Sequence, residues 1–217
     1  MRALNHSENG MREYHVYGVG NALVDMEYEV PVSVLDALNI DKGLMTLIEQ
    51  DRHHALSEQL AVHRHKRACG GSAANTVIAV AQLGGKAYYS GKVGDDEAGT
   101  FYLQDLLDCG VHSIALEHPR EPGVTGKCLV LITPDADRTM NTYLGITSEL
   151  STAELNPDAI AQSEYVYLEG YLVASDSGRQ AAIEAGRIAR EAGGAASLTL
   201  SDPHMVNFFP GGFVEMA

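Results

Sequence analysis

Two periods alternate along the chain, and together they predict strands interleaved with helices. Tyr14-His15-Val16-Tyr17-Gly18-Val19-Gly20 is an apolar run ending in glycine, which predicts a strand opening into a loop. Glu27-Tyr28-Glu29-Val30 alternates polar and apolar positions, the pattern of a half-exposed strand, and Leu44-Met45-Thr46-Leu47-Ile48 predicts another short one. Apolar positions then fall at helical spacing from Glu49 to about Val62 and from Ala73 to Leu83. Gly84 can close the second helix with a left-handed backbone. Ala87 to Val93 predicts a strand. Asp95 is placed to cap the next helix, with Phe101, Leu103, Leu106 and Leu107 inward and Gly110 as its stop.

The middle of the chain changes character. Gly126–Thr133 and Arg138–Leu144 predict two strands joined by the turn Pro134-Asp135-Ala136-Asp137. Ser151-Thr152-Ala153-Glu154 has the form of a capping box. A strand over Tyr165–Glu169, an amphipathic helix over Arg179–Ala192 ended by Gly193-Gly194, and a strand over Ser197–Leu200 complete the pattern. Strands alternating with helices imply a mainly parallel sheet covered on both faces, an α/β fold. The segments near 26–48 and 126–144 break that rhythm and predict a small β-hairpin lid beside it. Residues 1–13 are expected to form a disordered leader, with one structural unit over 14–217.

Composition narrows the functions. The formal charge of −14 argues against nucleic acid and against anionic membranes as partners. Three scattered cysteines, Cys69, Cys109 and Cys128, have no paired spacing, which fits a reducing, cytoplasmic setting. No apolar run approaches a membrane span. His53-His54 and His63-Arg64-His65 lack cysteine or carboxylate neighbours at ligand spacing, so no metal site is expected and a solvated helix with its exit is predicted there. Gly18-Val19-Gly20-Asn21-Ala22-Leu23 lacks the third glycine of a dinucleotide fingerprint. Gly91-Lys92-Val93 lacks the serine or threonine of a phosphate loop. No Gly-x-Ser-x-Gly nucleophile elbow is present.

In a parallel sheet, ligands sit beyond the carboxyl ends of the strands. Four groups fall at such ends: Asn21 with Asp25, the loop Gly70-Gly71-Ser72-Ala73-Ala74-Asn75, Glu169 to Tyr171, and Ser201-Asp202. The glycines of the second group admit a ligand close to the backbone, and the helix start behind them can donate N–H groups to it. Ser72 is also a natural N-cap. Asp25 offers the two acceptor oxygens that vicinal sugar hydroxyls would need.

Taken in order, Gly18–Asp25, Gly70–Asn75, Gly91-Lys92-Val93-Gly94-Asp95-Asp96, Thr125-Gly126-Lys127-Cys128 and Tyr167-Leu168-Glu169-Gly170-Tyr171 resemble the N-terminal two thirds of the ribokinase-type (PfkB) carbohydrate kinases. Lys42–Leu47 and Asp137–Thr142 are most similar to the bacterial adenosine kinase branch. The resemblance implies a ribokinase-like fold and transfer of the ATP γ-phosphoryl, with Mg²⁺, to the 5′-hydroxyl of adenosine. A ribose or fructose kinase and an inactive nucleoside-binding chain are the alternatives. It implies that Asp25 and Asn75 hold ribose hydroxyls, with Asn21, Gly70, Gly71 and Ser72 shaping that pocket. Met45, Leu47 and Tyr171 would border the base or the outer face of the sugar, and Glu169 would touch substrate. Arg138 is either a contact for the transferring phosphate or a solvent-facing strand arginine. Family members carry a Gly-Ala-Gly-Asp loop with the general base, and an Asn-x-x-Glu motif for Mg²⁺, toward the C-terminus. Neither string occurs in the second half of this sequence, so the expectation is a truncated kinase retaining its acceptor side. Oligomeric state is left open.

Overall fold

The computed structural model describes residues 12–63 and 65–217. Of the expected leader, residues 1–11 lie outside this description. Arg12 already donates to the carbonyls of Ala161, Ser163 and Ala192 at 3.1, 2.7 and 2.6 Å, so ordered structure starts before Tyr14. The elements in chain order are β1 (Tyr14–Val19), β2 (Leu23–Glu29), α1 (Val32–Leu38), β3 (Met45–Leu47), α2 (Gln50–Leu60), β4 (His65–Gly70), α3 (Ser72–Gln82), β5 (Ala87–Ser90), α4 (Glu97–Asp108), β6 (Val111–His112), β7 (Gly126–Ile132), β8 (Arg138–Tyr143), α5 (Pro157–Ala161), β9 (Ser163–Leu168), α6 (Asp176–Glu191), β10 (Ala195–Leu198), α7 (Pro203–Phe208) and α8 (Pro210–Met216).

Five strands form a wholly parallel sheet in the order β10-β9-β1-β5-β6. Tyr17 on β1 stands opposite Tyr88 on β5 and Val166 on β9. Side chains alternate faces along a strand, so each face needs its own cover. One is packed by α3 and α4 through Ala73, Val77, Tyr102 and Leu106. The other is packed by α5, α6, α7 and α8 through Ile160, Ala182, Ala185, Met205 and Phe213.

The lid is larger than a hairpin. Five strands pair as β3-β8-β7-β2-β4, with β2–β4 and β7–β8 antiparallel and β2–β7 and β3–β8 parallel. Strand alternation divides its faces. Tyr28, Leu129 and Leu131 point outward into a small core with Leu35, Leu38, Leu56 and Leu60 of α1 and α2. Asp25, Cys128, Met140 and Thr142 point inward.

Several boundaries depart from the sequence reading. His65 was expected at a solvated helix exit but opens β4, because β2 presents an unpaired edge that the polar strand completes. Asp96, not Asp95, caps α4: it accepts from Gly99 N at 2.7 Å and also from Thr125 N at 3.0 Å. Leu107 is exposed, and Tyr102 is buried in its stead. The N-cap of α3 is Gly71 rather than Ser72, with φ of 98° and no side-chain cap bond. Gly84, Gly110 and Gly193 do take positive φ at their helix ends. The capping box at Ser151 and Glu154 forms, but on a single 3₁₀ turn.

Candidate acceptor site

Where the strand ends of the parallel sheet meet the inner face of the lid there is a cleft of about 380 Å³. Asn21, Asp25, Met45, Leu47, Gly71, Ser72, Asn75, Arg138, Glu169 and Tyr171, widely separated in sequence, all line it. Three expectations are corrected. Gly70 lies behind Asp25 rather than on the wall: a Cβ there would stand 2.1 Å from the Asp25 Oδ1, so only glycine admits the carboxylate. Ser201-Asp202 does not line the cleft. Asp202 instead caps α7, accepting from His204 N and Met205 N at 2.7 and 3.1 Å. Asp25 itself lies within strand β2 of the lid, not in a loop.

Glu169 was expected to touch substrate, but its oxygens are already engaged. It is 1 % exposed, and its Oε1 accepts from Asn21 N and Asn21 Nδ2 at 3.2 and 3.0 Å. Its Oε2 accepts from Ser72 Oγ at 3.1 Å and Ala73 N at 2.9 Å. Four donors fill the lone-pair positions of one carboxylate. Glu169 therefore occupies the anion position at the start of α3 that a ligand was expected to use. It ties the loop after β1, the glycine loop and the end of β9 into one rim. Burial pushes its carboxyl up, opposed by those same donors. The surrounding glycines are needed for closeness: a Cβ on Gly20 would lie 2.5 Å from Glu169 Oε2, and one on Gly71 would lie 2.2 Å from the Asn21 carbonyl.

Asp25 is in the opposite condition. No described residue donates a hydrogen bond to it, and its carboxyl is pushed up to about 6, mainly by burial, with Arg138 pulling down and Glu27 pushing up. A desolvated carboxylate facing a cleft, with no donor attached, is a candidate group for binding a ligand's donors. Arg138 is exposed on β8 at the edge of the cleft, and its guanidinium donates to Glu27 Oε1 at 3.0 Å, as expected of a solvent-facing strand arginine. The Cys128 thiol nearby is pushed up to about 12, first by burial and then by Asp25, which keeps it protonated. Burial, with Asp202 beside it, also raises the Tyr171 phenol.

Of the polar lining groups, Asn21, Asp25, Ser72 and Asn75 come from the β1, β2 and α3 side, while Arg138, Thr142, Thr147, Ser148 and Ser175 come from other parts of the wall. Met45, Leu47, Met140, Leu144, Leu172 and Met205 supply apolar wall, and sequence reasoning missed four of these six. Met140 sits at every second residue from Arg138 on β8, a signal that could have placed it. Leu144, Leu172 and Met205 carry no such signal, because their elements meet the cleft only in three dimensions. Among the described residues no three metal-ligating side chains converge, and no helix is long and apolar enough to cross a membrane.

A parallel sheet helical on both faces, with a β lid over its strand ends, defines a ribokinase-like α/β protein with a small-molecule cleft. The pfkB family carbohydrate kinase description matches residues 33–212, and the chain belongs to that family. It is 38% identical to the adenosine kinase from Sinorhizobium meliloti, with a TM-score of 0.86 over 94% of this chain and 62% of that one. A probable sugar kinase from Rhizobium etli is 34% identical, with a TM-score of 0.87 over 95% of this chain and 62% of that one. Aminoimidazole riboside kinase of Salmonella typhimurium is 35% identical over 129 residues, 58% of this chain and 39% of its own length. The chain thus spans less than two thirds of the length of each of these relatives.

Proposed function

We propose that this chain is the acceptor-binding portion of an ATP-dependent nucleoside kinase that phosphorylates the 5′-hydroxyl of adenosine to give AMP. In that reaction the hydroxyl oxygen bonds to the γ-phosphorus, the bond from that phosphorus to the bridging oxygen breaks, and ADP leaves. The observation that carries the reading is the division of the cleft wall. A nucleoside has a hydroxylated ribose and a flat apolar base, and the wall offers a polar set to one and a methionine-rich apolar set to the other. A hexose, hydroxylated all round, would leave polar groups facing Met45, Met140 and Met205.

Asp25 and Asn75 are assigned to the ribose hydroxyls. Asn21 presents its free amide oxygen, since its nitrogen is bound to Glu169. Met45, Leu47 and Tyr171 border the base, and Arg138 faces the incoming phosphate. Glu169 positions the rim. ATP and Mg²⁺ are implied by the family and supply the phosphoryl group and charge neutralisation. The described residues provide no converging ligand set for the metal.

The likeness to a probable sugar kinase favours a second reading, a small-sugar kinase with the same fold. Calorimetry of the chain with adenosine, ribose and fructose separates the two. We expect adenosine to bind most tightly and Asp25→Ala to weaken it at least about tenfold, the value of a hydrogen bond to a charged group. Fructose binding with adenosine ignored would reverse the assignment.

A further inference from the structure

The outer side of the lid holds a second cavity, of about 340 Å³, behind the same two strands that wall the acceptor cleft. Its lining comes from the first turn of α2 (Gln50, Asp51, His53, His54), from Lys127 of β7 and from Tyr143 of β8. Lys127 and Tyr143 are the immediate neighbours of Cys128 and Thr142, which face the cleft, so strand alternation turns them outward. We propose that this cavity binds a small oxyanion, held between the Lys127 ammonium, the His53 ring and the free amides that open α2.

Three separate observations point there. His53 is 9 % exposed and its Nε2 has no hydrogen-bond partner among the described residues, a costly state for a ring nitrogen unless a ligand completes it. Lys127 is only partly exposed, and among the described residues its ammonium forms no ion pair. The eleven-residue α2, Gln50–Leu60, has no side-chain cap at Glu49, so the amides of its first turn have no side-chain acceptor, Asp51 being the one acidic residue in that turn.

Charge selects the ligand. Lys127 and the helix start both favour an anion, and a cation would be repelled from each. Burial first, then Lys127 and His54, push the His53 imidazole down to about 4, so the ring is neutral and one of its nitrogens carries an N–H to donate. Asp51 on the rim is the one lining carboxylate and is exposed, where water screens it. His54 has its own partner in Glu58, at 3.3 Å. The Tyr143 hydroxyl, 3.3 Å from Gln50 Oε1, is a further donor that can turn to the ligand. The rigid sheet between this cavity and the acceptor cleft makes them two sites on one lid, and the inference does not rest on the acceptor being adenosine.

The test is a titration of the intact chain with inorganic phosphate, against sodium chloride at matched ionic strength, followed by NMR at the His53 ring and Lys127 side chain. Saturable shifts at both, an affinity lowered at least about tenfold by Lys127→Gln and retained by Lys127→Arg, are expected. Acetate run in parallel separates carboxylates from phosphates as the preferred oxyanion. Shifts no larger than those with chloride, shifts confined to Asn75 and Asp25, or an affinity untouched by Lys127→Gln would overturn the proposal. The wild-type titration decides by itself should Lys127→Gln fail to fold.

Discussion

Two carboxylates of the cleft, Asp25 half-buried and Glu169 buried, differ in their hydrogen bonding, and their substitutions should have opposite effects on stability. Asp25 has a carboxyl raised to about 6 with no donor attached. The folded state binds its proton more tightly than the unfolded chain does, so stability falls as pH rises through that value. At neutral pH the ionised, desolvated group opposes folding. Asp25→Asn should therefore raise the melting temperature, by the equivalent of about 1–3 kcal/mol, while weakening nucleoside binding. Adenosine affinity in the unsubstituted protein should likewise fall below about pH 6, as the carboxylate is protonated. Glu169 is the reverse case, with four donors aimed at it. Glu169→Gln turns an amide toward some of those donors and should cost about 1–3 kcal/mol, read as a lowered melting temperature. Glu169 could be picked out from its place after a strand, and Asp25 from the Gly18–Asp25 motif. Nothing local distinguished the unsatisfied one from the satisfied one, because donors 96 and 148 residues away make the difference.

At the level of elements, the glycine loop that joins lid to core is the least tolerant segment. Gly71 combines a φ of 98° with a contact that leaves no room for a Cβ beside the Asn21 carbonyl. Gly71→Ala should lose about 1–3 kcal/mol from backbone strain alone, more with the clash, and adenosine binding with it. Chemical denaturation and calorimetry on the variant check both. The loop was legible because glycine pairs before an alanine-rich helix have few other uses. The strand leading into it was not. His65-Lys66-Arg67-Ala68 is polar, four exposed residues on a sheet edge, and becomes a strand by pairing with β2. Long helices with a clear apolar face, such as α6, were read correctly apart from their first turn. Short elements such as β6 and α5, two and five residues long, carry too little periodicity to be seen in advance.

For the whole molecule, the arrangement of two sheets around one cleft makes ligand binding a matter of lid position. The lid keeps its own outer core, with Leu129 and Leu131 fully buried against α1 and α2, so it can move as a unit. If the cleft closes on adenosine, amide hydrogen exchange should slow in β7 and β8 on addition of the nucleoside, with little change in the outer core. Equal exchange with and without adenosine would show a lid indifferent to its ligand. The charge of −14 bears on this scale too, because the proposed anionic phosphate donor would then have to be drawn by local cations rather than by the overall field.

Periodicity and glycine placement by themselves determined the α/β class and the existence of a β lid, since these depend on patterns within a few residues; the resemblance to the kinase family marked ten of the twenty-two residues around the cleft. Only the tertiary structure decided that Glu169 is a strut and Asp25 a carboxylate without a donor among the described residues, that polar β4 completes the lid, and that methionines from three separate elements share one wall. Desolvation and hydrogen-bond satisfaction depend on which distant groups arrive at a position, and a local pattern carries no record of them.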